Sequence, residues 1–127
     1  MRRWLVDGMN VIGSRPDGWW RDRHGAMRAL TARLASLVER GGEVTVVFDG
    51  REPREPPQAP GVEVLFAPGG PNSADDRIVE LVEAEADPPR LTVVSSDSDL
   101  AARVAELGAT VVGAGEFRRR IDADPND

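Results

Sequence analysis

The chain has 127 residues, no cysteine and a formal net charge of −6 at pH 7. That length suits one domain able to bury about two thirds of its unfolded surface, and the missing thiols exclude disulfides, thiolate metal sites and cysteine nucleophiles while favouring an intracellular setting. All 16 basic residues are arginine, which excludes a P-loop, Schiff-base chemistry and the lysine of a response-regulator receiver, and the negative balance argues against a protein that coats nucleic acid indiscriminately.

Met1 to Val6 are too few for a secretory hydrophobic region before Asp7 interrupts them. No apolar run approaches the roughly 18 residues of a membrane span, so a cytoplasmic location and no membrane partner are expected. Residues 3–7 and 44–48 are short apolar runs that lead into Asp7-Gly8 and Asp49-Gly50, and both read as buried strands. Between them, residues 24–40 carry Met27, Leu30, Leu34, Leu37 and Val38 at helical spacing and stop at Gly41-Gly42. Residues 51–61 contain Pro53, Pro56, Pro57 and Pro60, which forbids a helix or central strand and predicts an exposed loop.

A strand is predicted at 62–66, then a Pro- and Gly-rich connection. A helix starts at Ser73, with Ile78, Val79, Leu81, Val82 and Ala86 on one face, and ends at Asp87-Pro88-Pro89. Residues 91–94 read as a strand, 100–107 as a helix closed by Gly108, 109–112 as a last strand and 115–122 as a short helix. Residues 1–121 are expected to form a single domain, and 122–127 an acidic frayed tail. Strands alternating with helices imply a parallel sheet covered on both faces, whose ligands bind beyond the carboxyl ends of the strands.

Asp7, Asp49 and Asp97 all fall at those ends, Asp75 and Asp76 open the helix at Ser73, and Asp99 completes a D-x-D with Asp97. Each like-charge pair at about 4 Å costs roughly 4 kcal/mol at an effective dielectric near 20, so a shared site implies a divalent cation or a proton. Structural roles compete at each position. Asp7 suits an Asx-turn. Ser73 with Asp76 fits a capping box, and Asp97 or Asp99 suits a helix N-cap. Asn10 is placed to orient Asp7 or a water through its amide. Ser95 and Ser96 lack the G-x-S-x-G elbow of an acyl-transfer nucleophile, and the single histidine, His24, reads as a surface or capping residue.

Trp19 and Trp20, flanked by Arg15 and Arg21, suit base stacking and phosphate contact on single-stranded nucleic acid. They suit packing beneath their loop equally well. Arg118 to Arg120 read as a solvated helix face.

In the order VDGMNVI, VFDG, SADDRIVEL and SSDSDL, the chain from Arg3 to about Ile121 resembles the NYN domain family, and more narrowly the YacP-type branch of these PIN-like nucleases. The resemblance implies a Rossmann-like three-layer α/β/α sandwich with a mostly parallel sheet, and hydrolysis of RNA phosphodiesters with Mg²⁺ or Mn²⁺. It places metal binding on Asp7, Asp76 and Asp97 with Asp75 and Asp99 as helpers, Asn10 in the catalytic group, and Asp49 and Ser96 behind the ligands. Without lysine, phosphate contacts fall to arginines, with Arg51 joining Arg15 and Arg21. Two other classes compete: a non-catalytic RNA- or partner-binding module on the same fold, and another metal-dependent phosphohydrolase. A Toprim domain normally has Glu where Asp7 stands, and a HAD-type phosphatase wants D-x-D after its first strand and a later Lys. No residue pattern points to a protein partner or an oligomer.

Overall fold

The structure, a computed structural model, describes residues 2–122. Its sheet is built from the apolar runs β1 (Arg3–Asp7), β2 (Glu43–Asp49), β3 (Val62–Ala67), β4 (Leu91–Val94) and β5 (Thr110–Val112). They lie in the order β3-β2-β1-β4-β5 with every neighbouring pair parallel. Side chains alternate across a strand, so one strand feeds two cores. Val6, Val44, Val46, Phe48 and Val94 serve one face of the sheet, and Leu5, Val47, Leu91 and Val93 the other.

Helices α1 (Gly8–Gly13), α2 (Arg23–Glu39) and α5 (Ala114–Asp122) cover the first face, and α3 (Ser73–Glu83) and α4 (Ser98–Glu106) the second. The result is a three-layer α/β/α sandwich. On α2, Met27, Leu30, Leu34 and Leu37 form the buried stripe that their spacing foretells. Burying each such side chain contributes about 1.5–3 kcal/mol. Among the described residues no helix is long and apolar enough to cross a membrane.

The chain departs from the sequence-based expectation in four places. α1 was not foreseen: six residues with glycine at each end give too little periodicity to read. It packs so tightly on the sheet that a Cβ on Gly8 would stand 2.4 Å from Phe48 Cδ1 and 3.0 Å from the Val47 carbonyl oxygen. α3 stops at Glu83, ahead of the prolines, with Ala84 as its C-cap, and just beyond it the Glu85 carboxylate accepts from Arg90 Nε at 3.0 Å, Arg3 Nη1 at 3.3 Å and the Asp87 N–H at 3.1 Å.

The capping box at Ser73 and Asp76 does not form. Asn72 is the cap residue, with φ 67 and no side-chain cap bond, and the Ser73 hydroxyl donates instead to the Ala67 carbonyl at 2.8 Å. Finally, Asp122, which the sequence assigns both to the last helix and to the start of the tail, belongs to α5, where it pairs with Arg15 at 2.5 Å. Residues 123–127 of the expected tail lie outside the described residues. The 51–61 segment is irregular and mostly exposed, as its prolines dictate, although Pro57 is buried.

The chain runs from β1 out to β2 and β3, then returns past β1 to β4 and β5. This strand order reverses between β1 and β4, where the two connections leave in opposite directions. A crevice opens there at the carboxyl ends, the usual ligand position in such sheets.

Candidate active site

Asp7, Met9, Asn10, Asp49, Asn72, Asp75 and Asp97 line one open cleft at that switch point. Asp7 ends β1, Asp49 ends β2, Asp97 caps α4 just after β4, and Asp75 lies in the first turn of α3. Four of the sequence-predicted acids therefore meet, brought together by parallel strands that all end on one edge.

Asp7 is the buried member, 5% exposed. Its Oδ2 accepts the Ser95 hydroxyl at 2.8 Å. Burial pushes its carboxyl up to about 6, helped by the charges of Asp75 and Asp49, while the Ser95 hydroxyl and the Asn10 backbone amide pull the other way. Burial also raises the Asp75 carboxyl above its ordinary value, with the charges of Asp97 and Asp49 adding to the shift.

Asp97 has two duties. Its Oδ1 accepts the Leu100 N–H at 3.0 Å, which caps α4, and the same side chain lines the cleft. Its backbone N–H donates to Ser95 Oγ at 3.1 Å, so Ser95 ties both acids together. Asn10 does not orient Asp7 with its amide. Asn10 Oδ1 accepts the Ser96 N–H at 2.8 Å and clamps α1 to the β4–α4 connection. Ser96 Oγ in turn accepts the Ala114 N–H at 2.8 Å and fixes the start of α5, so Ser96 braces the loop without lining the cleft.

The two acids of α3 part company. Asp75 faces the cleft, whereas Asp76 lies on another surface with Phe66, Arg77 and Glu80, and pairs with Arg103 at 3.3 Å. One residue along a helix is a turn of about 100°, enough to carry a side chain away from the edge. Asp99 is exposed in the first turn of α4 and is not among the cleft residues.

The aromatic loop also divides. Trp19 is half-buried against the core and contributes to a separate hollow lined by Ile12, Leu30, Arg118 and Ile121. Trp20 is 55% exposed. Arg15 is held by Asp122, and Arg118 by Asp17 at 3.3 Å and the carbonyls of Val11 and Ile12, so these two brace the fold. Arg21 lies over Trp20, and Arg51 is exposed just past Asp49.

Two polar residues of the site escaped sequence reasoning, Asn72 in the cleft and Ser95 behind it. Asn72 carried a signal, since a left-handed φ outside glycine is rare and favours Asn, but a polar residue in a Pro- and Gly-rich connection invites no other reading. Ser95 carried none, because its role depends on a partner 88 residues away.

The profile of the YacP-like NYN domain matches residues 4–127. A crystal structure of Rae1 (YacP) from Bacillus subtilis is similar at a TM-score of 0.81 and 28% identity, covering 97% of this chain and 75% of that one. A crystal structure of a point mutant of the same protein gives 0.76 and 29%, covering 95% and 74%. A UPF0178 protein of Xanthomonas oryzae pv. oryzae is 49% identical over 57 residues, which are 45% of this chain and 32% of that protein. The aligned part thus spans about a third of that curated relative.

Proposed function

The chain belongs to the YacP-like NYN domain family, and on that premise we propose that it is a ribonuclease that hydrolyses phosphodiesters of single-stranded RNA with Mg²⁺ or Mn²⁺, in the cytoplasm. The observation that carries this is the meeting of Asp7, Asp49, Asp75 and Asp97 in one cleft at the sheet's switch point. An anionic phosphodiester is repelled by such a cleft until a cation reverses the local sign.

The donor set fits that cation. Carboxylate oxygens with amide oxygens nearby suit hard divalent ions, and a positive charge beside Asp7 would oppose the burial that now favours its protonated form. Among the described residues no three acidic or histidine side chains stand gathered at ligating spacing, so the fit rests on donor chemistry and on the charge of the cleft. A bound ion of this kind polarises a phosphoryl oxygen and lowers the pKa of a water at the site.

Asp7, Asp75 and Asp97 are the proposed ligands. Asp75 takes the place that the motif match gives to Asp76, because Asp75 is the one that lines the cleft. Ser95 holds Asp7 in its rotamer and the Asp97 backbone in place. Asn10 keeps its amide N–H groups for a phosphate oxygen, since its Oδ1 is occupied. Asp49 is left to orient the attacking water.

The test is cleavage of end-labelled single-stranded RNA by the wild type in Mn²⁺ and in EDTA, beside Asp7→Asn and Asp97→Asn. Cleavage that needs Mn²⁺ and falls at least roughly 100-fold in both variants is expected. Full activity in either variant, or cleavage in EDTA, overturns the proposal. Binding without cleavage points to a non-catalytic module.

A further inference from the structure

A protein with a net charge of −6 that handles an anionic strand must present its cations locally, where the strand runs. Many arginines are already committed to carboxylates: Arg15 to Asp122, Arg77 to Glu80, Arg103 to Asp76 and Arg118 to Asp17. Arg23 differs. Its Nη2 donates to the backbone carbonyl of Asp49 at 3.3 Å, a neutral partner that leaves its charge in place.

Its position follows from the fold. A crossover helix between parallel strands starts at their carboxyl edge, and Arg23 is the first residue of α2. The carbonyl it touches belongs to Asp49, whose side chain lines the acidic cleft. A guanidinium therefore stands at the rim of the cleft.

Three residues before it lies Trp20, 55% exposed. Arg21 places its guanidinium carbon 6.0 Å from the centre of the Trp20 ring, and Trp19 meets that ring edge-on at 5.8 Å and 85°. A 3-10 turn over Trp19–Arg21 and the Asp22 side chain, which accepts the Gly25 N–H at 2.9 Å, hold the segment in shape. An exposed aromatic face leading to a charged guanidinium is the combination that single strands use, bases on the ring and phosphates on the cations.

We propose that Trp20, Arg21 and Arg23 form the track along which single-stranded RNA reaches the acidic cleft, Trp20 stacking on a base and Arg23 holding a phosphate beside the cleaved one. A duplex, whose bases are already stacked, offers Trp20 nothing. The proposal rests on the nuclease reading for the strand's destination, but its binding half stands alone.

The test measures binding of a labelled single-stranded RNA dodecamer in Ca²⁺ by anisotropy at several salt concentrations, with cleavage in Mn²⁺ measured separately. The proteins are the wild type, Trp20→Ala, Arg23→Gln, Arg23→Lys and, as control, Arg77→Gln, each checked by its melting curve. Trp20→Ala should weaken binding roughly tenfold. Arg23→Gln should lower the slope of log K against log salt by about 0.7, as expected for one lost single-strand phosphate contact. Arg23→Lys should keep the wild-type slope, and Arg77→Gln should bind as the wild type does. Wild-type affinity in folded Trp20→Ala together with an unchanged slope in Arg23→Gln overturns the track, as does a wild type that binds duplex as tightly as single strand or binds no RNA. RNA bound through these residues but never cut supports the track while removing the nuclease reading.

Discussion

Ser95 donates its hydroxyl hydrogen to Asp7 Oδ2 at 2.8 Å and joins the ends of β1 and β4 across the switch point. Ser95 Oγ itself accepts the Asp97 N–H at 3.1 Å, so one small side chain sets both the rotamer of the first acid and the backbone of the second. Groups that orient ligands in this way are typically worth 10–100-fold in metal affinity or activity. Ser95→Ala is therefore expected to lower RNA cleavage by roughly that factor while costing only about 1–2 kcal/mol of stability, the value of the lost hydrogen bonds. Cleavage rates and urea unfolding check this. Wild-type turnover with reduced stability would make Ser95 a brace of the fold and nothing more.

Asp7 links the cleft to stability. Its carboxyl lies at about 6 in the fold, against an ordinary 3.8. Between those values the folded state binds the proton and the unfolded state does not, so stability falls as pH rises through this window. The favourable contribution is complete below pH 3.8 and lost above about 6, a difference of about 3 kcal/mol. Asp7→Asn removes that titration. In EDTA the variant should exceed the wild type in stability at pH 7 by up to roughly 3 kcal/mol, and the two should converge near pH 4. Urea unfolding at both pH values measures it, and a variant less stable at pH 7 would show that the charged carboxylate gains more from Ser95 than it loses to burial.

The fold and the strand-end acids were legible because period and termination suffice for both. A Val-rich run that closes on Asp becomes a buried strand, and parallel strands deliver their carboxyl ends to one edge, so Asp7, Asp49 and Asp97 could be placed together from sequence. Which acid of α3 turns inward was not legible. The answer depends on where the helix starts, and a left-handed Asn72 fixes that start in place of the expected cap at Ser73. Trp19 and Trp20 were ambiguous for a similar reason. Only the 3-10 turn after Gly18 decides which ring goes under and which stays out.

The two Asp-Gly pairs look alike but need their glycines differently. Gly8 has no room for a side chain against Phe48 and the Val47 carbonyl, whereas Gly50 has nothing within 4 Å but sits at φ +101. Gly8→Ala should cost about 1–3 kcal/mol through overpacking and, by displacing α1 and with it Asn10, should also depress cleavage. Gly50→Ala should cost about 1–2 kcal/mol through backbone strain. Repacking at Phe48 separates the two causes: Phe48→Leu should reduce the penalty of Gly8→Ala and leave that of Gly50→Ala unchanged in a double-mutant cycle of unfolding free energies. Equal coupling for both glycines would refute the distinction.

Asp75 and Asp76 give the sharpest separation between motif and geometry. The motif match assigns the ligand to Asp76, yet that side chain is 63% exposed and faces Arg103, 47% exposed. Such a pair contributes about 0–1 kcal/mol, so Asp76→Asn should leave stability and cleavage close to those of the wild type. Asp75 lines the cleft and shares its field with Asp97 and Asp49. Asp75→Asn is expected to lower Mn²⁺-dependent cleavage at least roughly 100-fold and to weaken Mn²⁺ binding in a calorimetric titration, without loss of fold. In EDTA it should melt no lower than the wild type, because one of the mutually repelling carboxylates is gone. The reverse result, with Asp76→Asn inactive and Asp75→Asn active, would return the ligand to the position named by the motif and require α3 to rotate when the ion binds.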